Sequence, residues 1–193
     1  MTAVDLDNDE QGSDAYHRWP SRRAHHEPMT TNITPCIWLD GTAQAAADLY
    51  LSLFPNAKRT STVHYPTDEA ALGPNAHMAG QVLMEEVELD GNPFTLLNGG
   101  PQFPQTEAVS FQIMCADQAE VDHYWNGFTA NGGAESQCGW CKDPFGVSWQ
   151  VIPRRFYELM SDPDPQVVTR VSQAMYSMRK LDVEQLERAA RGA

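Results

Sequence analysis

Residues 108–133, AVSFQIMCADQAEVDHYWNGFTANGG, decide how the chain is read. Val109–Cys115 is rich in β-branched and aromatic residues and reads as a strand. Asp117 follows as a helix cap, and Glu120, three positions on, completes the pattern of a capping box. Val121, Tyr124, Trp125 and Phe128 then fall on one helical face. Asn131-Gly132-Gly133 ends the helix, because glycine accepts the left-handed backbone that a helix C-terminus needs. Further strands are expected near Glu135–Cys141 and Val147–Ile152, joined by Lys142-Asp143-Pro144-Phe145-Gly146.

The same order stands upstream. The run from Ile33 to Leu39 reads as a strand, with Pro35 directing it to a sheet edge or a strand start. Between Thr42 and Phe54 the polar Gln44, Asp48 and Ser52 recur every fourth position, opposite Ala46, Leu49, Tyr50 and Leu53, so a helix laid on a core is expected. Arg59–Tyr65 reads as a strand and 66–79 as a loop. Gln81–Leu89 and Pro93–Leu97 read as a hairpin about Asp90-Gly91-Asn92. The chain is therefore read as α+β, a duplicated β-α-β-β-β unit, with module 1 at about 33–98 and module 2 at about 108–153 of a domain spanning 31–153. Asp164-Pro165 and Asp182 cap two expected helices in a C-terminal extension, 154–193. Their stripes (Val167, Val168, Val171, Met175 and Met178; Val183, Leu186 and Ala190) must pack on the domain or on a partner subunit.

Composition narrows the classes of function. The 193 residues, 41% of them hydrophobic, suffice for one or two packed domains. A net charge of -13 disfavours nucleic acid phosphates and anionic membranes as partners. Residues 1–30 lack apolar periodicity and are expected to be a disordered tail; residues 1–28 hold six acids and three bases, so the acidic character belongs to the rest of the chain. No apolar run is long enough to span a bilayer, and a soluble, cytoplasmic protein is expected. Cys36, Cys115, Cys138 and Cys141 are too few for a disulfide scaffold. Cys138-Gly-Trp-Cys141 has dithiol spacing but lies in a strand and turn region, where no helix terminus would stabilise a thiolate, so packing is the preferred reading over redox or zinc chemistry.

Thr34-Pro-Cys-Ile-Trp-Leu-Asp-Gly, Leu97-Asn-Gly-Gly-Pro, Ser110-Phe-Gln, Cys138-Gly-Trp with Lys142-Asp-Pro-Phe-Gly-Val-Ser-Trp-Gln, and Leu159-Met-Ser-Asp-Pro-Asp-Pro resemble the PhnB-like branch of the glyoxalase/bleomycin-resistance/extradiol dioxygenase, or vicinal oxygen chelate, superfamily. The resemblance implies paired βαβββ modules whose curved sheets surround a cleft, completed in a dimer. It also implies four metal-ligand positions, ordinarily His and Glu. At the matching places stand residues 33–36 (Ile, Thr, Pro, Cys), Asn98, Ser110 and Gln150. Neutral amides and hydroxyls offer a divalent ion dipoles without charge, so neither metal nor cofactor is expected. Glu85 or Glu86 could approach the cleft from their strand and His64 from the loop edge, but each reads better as a solvated surface group. The family also carries the label of a ubiquinone-pathway methyltransferase domain; Asn98-Gly99-Gly100-Pro101 is a turn between modules with no helix to follow, unlike a nucleotide-cofactor loop.

Strand alternation places Ser110, Gln112 and Met114 on one face and Phe111, Ile113 and Cys115 on the other, and likewise Ser148, Gln150 and Ile152 opposite Val147, Trp149 and Val151. The apolar faces suit the helices, which leaves the polar ones for the cleft. Ser110, Gln112 and Gln150 are therefore expected binding residues; Asn98 joins them at its family-matched place, Trp38 from the aromatic set, and Trp140 at the rim, just before the Lys142-Asp143-Pro144 turn. His123 lies off the apolar helix face, and no histidine pairs with an acid in a catalytic arrangement. The leading expectation is a metal-independent protein that binds or sequesters a small molecule, cationic or aromatic. A superfamily enzyme with atypical ligands and a structural or regulatory dimer are the alternatives. Homodimerisation is expected from open sheet edges and amphipathic helices, and sedimentation at micromolar concentration tests it.

Overall fold

The computed structural model describes residues 33–193; the expected tail, 1–30, lies outside them. The first module runs β1 (Cys36–Leu39), α1 (Ala43–Leu53), β2 (Lys58–His64), a one-turn α2 (Glu69–Leu72) with a 3₁₀ segment Gly73–Met78, β3 (Val82–Leu89) and β4 (Asn92–Asn98). Its sheet has the order β1-β4-β3-β2, with β1 parallel to β4 and the other pairs antiparallel. The second module repeats this with β5 (Phe111–Cys115), α3 (Gln118–Thr129), β6 (Ala134–Glu135), β7 (Trp140–Lys142) and β8 (Ser148–Pro153), ordered β5-β8-β7-β6, with β5 parallel to β8. The duplication thus extends to strand order and direction. Three helices follow, α4 (Arg154–Met160), α5 (Pro165–Tyr176) and α6 (Val183–Arg191).

Local chemistry accounts for most boundaries. Asp117 accepts from the Glu120 amide at 3.0 Å, while the Glu120 carboxylate accepts from the Ala116 amide at 2.7 Å, satisfying donors at the start of α3 from both sides. Asp164 and Asp182 cap α5 and α6 through the amides of Gln166 and Gln185. Asp90 and Gly91 turn the β3–β4 hairpin with φ of 49° and 82°, a two-residue turn whose twist matches that of its strands. Pro35 precedes an edge strand, as its missing N–H requires.

Three features depart from the sequence reading. The 66–79 loop holds a helical turn, which Asp68 caps through the Ala70 amide. The strand expected over 135–141 is broken into β6 and β7, because Cys138 and Gly139 take φ of 59° and 84° and donate their amides to the carbonyls of Met178 and Arg179. Finally, α4 forms without a capping side chain at Pro153, held instead by burial of Leu159.

One continuous core joins the modules through their helix-covered faces. Ile37, Leu39, Tyr50, Phe54, Val87 and Leu96 from the first module share it with Val121, Trp125, Phe128, Trp149 and Val151 from the second. Phe128 stacks on Trp149 at 4.5 Å between ring centroids, and Tyr50 meets the same indole edge-on at 5.3 Å. At the centre, the buried Asp143 carboxylate accepts from the Tyr50 hydroxyl at 2.6 Å, the Trp149 indole at 3.0 Å, and the amides of Phe145 and Val147 at 2.9 and 3.0 Å. Burial pushes this carboxyl above its ordinary range, and the four donors pull it back only in part. A second cluster of Ile152, Leu159, Val171, Met178, Leu181 and Leu186 docks the C-terminal helices on the second module. Among the described residues no helix is long and apolar enough to cross a membrane.

Candidate functional site

The face of the second sheet turned away from the common core carries most of the candidates. Gln112 and Gln150 are register partners across β5 and β8, and Gln150 and Trp140 are partners across β8 and β7, so the three form one row on one face. Trp149 and Val151, on the opposite face, are buried against the helices, and Phe111 and Ile113 pack against the same core. Along the row runs a chain of hydrogen bonds. Gln150 Nε2 donates to Ser110 Oγ at 2.8 Å, and Gln112 Nε2 donates to the Tyr157 hydroxyl oxygen at 2.8 Å and more weakly to Gln150 Oε1 at 3.4 Å.

Beside Trp140 lies a pocket of about 240 Å³ lined by Glu107, Ser136, Lys142 and Ser148 among others. Lys142 and Glu107 pair across it at 2.6 Å, which holds the Glu107 carboxyl below its ordinary range. A hydrogen bond from the Trp125 indole, reinforced by Arg179, lowers the Glu135 carboxyl likewise. Both carboxylates are thus ionised at neutral pH. Ser148 is 2% exposed, and its Oγ is a buried side-chain polar atom with no hydrogen-bond partner among the described residues.

The remaining candidates sit elsewhere. Trp38 projects from the first sheet opposite Ile37 and Leu39, donates its indole N–H to the Gly100 carbonyl at 2.7 Å and meets Phe103 edge-on at 4.9 Å, beneath the linker between modules. Asn98 shares the buried face with Leu96. Its Oδ1 accepts from the Ala43 amide at 2.9 Å, capping α1 from another strand, and its Nδ2 donates to the Val82 carbonyl at 2.9 Å. Both ends of the Asn98 amide thus already serve the fold, on the core side of the sheet. Tyr157 escaped the sequence reading, because α4 has no start signal; the all-helix-compatible run Arg154–Met160 was its one trace.

The donor set does not fit a divalent metal. Of the places where superfamily enzymes hold ligands, Asn98 is engaged on the core side, and Ser110 and Gln150 are neutral and bonded to each other. Among the described residues no three His, Cys, Asp or Glu side chains come together as a metal site. Glu85 departs from the expectation of a solvated group: it is 1% exposed and sealed by Arg59 at 3.0 Å and Thr62 at 2.6 Å. Burial pushes the Cys141 thiol up to about 12, with Asp143 and Glu135 adding to the effect, so it stays protonated at neutral pH and is a poor nucleophile.

The family model described as 3-demethylubiquinone-9 3-methyltransferase matches residues 31–152. A Bacillus cereus PhnB protein is 26% identical, with 64% of this chain and 99% of that one covered at a TM-score of 0.56. A protein from Pseudomonas aeruginosa is 16% identical, with 64% and 98% covered at a TM-score of 0.50, a likeness of fold alone. No curated protein matches the chain. With two βαβββ modules, the matching motifs and a family model that spans most of both, the chain belongs to that family and is a PhnB-like member of the glyoxalase/bleomycin-resistance/extradiol dioxygenase superfamily.

Proposed function

We propose that the protein binds a small aromatic or cationic molecule, without a metal ion, along the Ser110–Gln150–Gln112 strip and against Trp140. The observation that carries this reading is the buried, unpartnered Ser148 hydroxyl lining the pocket beside that strip. An unsatisfied buried hydroxyl costs roughly 1–3 kcal/mol, a cost that a bound polar group removes. Trp140 offers an aromatic wall, and the acid-rich chain raises the local concentration of cations. The methyl transfer named in the family description requires a nucleotide methyl donor. Among the described residues the turns with paired glycines are Asn98–Pro101, which holds the Trp38 indole at Gly100 and leads toward β5, and Asn131–Gly133, which leads into β6; neither opens a helix, so the residues present do not fit that cofactor.

Native mass spectrometry of the full chain as purified, paired with elemental analysis, tests the reading. A small organic adduct is expected, lost in Gln150→Ala and Trp140→Phe, with no stoichiometric transition metal. Ser148→Ala is expected to weaken retention of the adduct while raising the stability of the ligand-free chain by about 1 kcal/mol, since it removes an orphaned hydroxyl. A stoichiometric metal, or an adduct indifferent to all three substitutions, overturns the proposal.

A further inference from the structure

We infer that Tyr157, on the first helix after the last strand, selects the ligand through a neutral hydrogen-bond acceptor, a carbonyl or ether oxygen carried by an aromatic body; this rests on the binding reading above and narrows it. The Tyr157 oxygen already accepts from Gln112 Nε2 at 2.8 Å, and its own O–H goes to no acceptor among the described residues. A phenol in that state has a proton to give. The Ser110 oxygen accepts from Gln150 at 2.8 Å in the same way and keeps its O–H. The strip therefore ends in a donor on either side, and a ligand that completes it brings acceptors.

Charge settles which kind. None of Ser110, Gln112, Gln150 and Tyr157 is cationic, and at the neighbouring pocket the acids are already matched, Glu107 by Lys142 and Glu135 by Arg179. A carboxylate or phosphate would find no countercharge on the strip to offset its loss of hydration, whereas a neutral oxygen loses little and needs only the two hydroxyl donors. Tyr157 is also preset for the task. Arg155 holds α4 to itself through Glu158 and to α6 through Glu187, both at 2.9 Å, and Leu159 is buried beneath. The phenol remains 42% exposed, open to a ligand, so little ordering is left for binding to impose. The family model stops at residue 152, so this donor is contributed from outside the matched stretch.

Acetophenone and ethylbenzene, which differ by one carbonyl oxygen, are the probes. Each is titrated into the full chain while the Trp140 indole N–H resonance is followed, assigned by its loss in Trp140→Phe. The wild-type chain is expected to bind acetophenone about five- to tenfold more tightly than ethylbenzene. Tyr157→Phe is expected to erase that ratio by weakening acetophenone alone, with thermal stability unchanged. An unchanged ratio in Tyr157→Phe overturns the inference and leaves the binding site standing. If neither probe shifts Trp140 in the wild-type chain, both the site and the inference fall.

Discussion

Replacing Asp143 with alanine is expected to destabilise the chain by about 4 kcal/mol, lowering the thermal midpoint by roughly 8–16 °C. Four donors converge on this carboxylate, and alanine would leave all of them unpaired in the core, two of them on large side chains from different modules. Asparagine isolates the cause. Its oxygen can still serve the Phe145 and Val147 amides, and the Tyr50 hydroxyl can rotate to accept from the new NH₂. The Trp149 indole is donor-only and would face another donor, so Asp143→Asn is expected to cost about 2 kcal/mol. The pH dependence has a definite sign. Because the native carboxyl titrates above its unfolded value near 4, the native state binds more protons in the interval between the two, and this group's contribution falls as pH rises through it. The deficit of the alanine variant should therefore be larger on the acid side of that interval than at pH 7. Urea melts at pH 4 and pH 7 read the difference; equal deficits, or a variant as stable as wild type, would show that Asp143 does not join the modules.

Gly139→Val is expected to release the C-terminal helices while leaving the two-module core folded. Gly139 has a φ of 84°, and a Cβ there would stand 2.8 Å from Ile152 Cδ1, 3.0 Å from the Val151 carbonyl and 3.2 Å from Leu181 Cδ1. Its amide donates to the Arg179 carbonyl at 2.7 Å, and its carbonyl accepts from Val151 at 2.8 Å. A β-branched residue meets backbone strain and overpacking together, about 3 kcal/mol, at the seam between β8 and the second cluster. Amide hydrogen exchange should report a loss of protection of about a hundredfold over α4–α6 with α1 and α3 unaffected. Uniform loss across the chain would mean that the two clusters are one cooperative unit.

These two residues also mark the limit of what could be read from the chain. The duplicated modules, the caps at Asp117, Asp164 and Asp182, and the Asp90-Gly91 turn were legible because each is set by neighbours within a few positions. The two faces of β5 and β8 followed from alternation, which put Ser110, Gln112 and Gln150 together on the side away from the helices. Asn98 was open to the same logic, since it is in phase with the core residue Leu96, whereas its family-matched place pointed to the cleft. Asp143 read as an ordinary turn residue because its decisive partner, Tyr50, is 93 positions away. The break between β6 and β7 depends on carbonyls about 40 positions downstream, and no capping side chain marks the start of the helix that brings Tyr157.

The pairing of Tyr50 with Asp143 bears on how the chain is made. At about 5–20 residues per second, α1 leaves the ribosome roughly 5–20 s before its carboxylate partner exists. Over that interval the Tyr50 and Phe54 rings lack the second-module surface that will cover them. The newborn first half is a sticky intermediate by construction, and its safe passage depends on quick completion or on a chaperone.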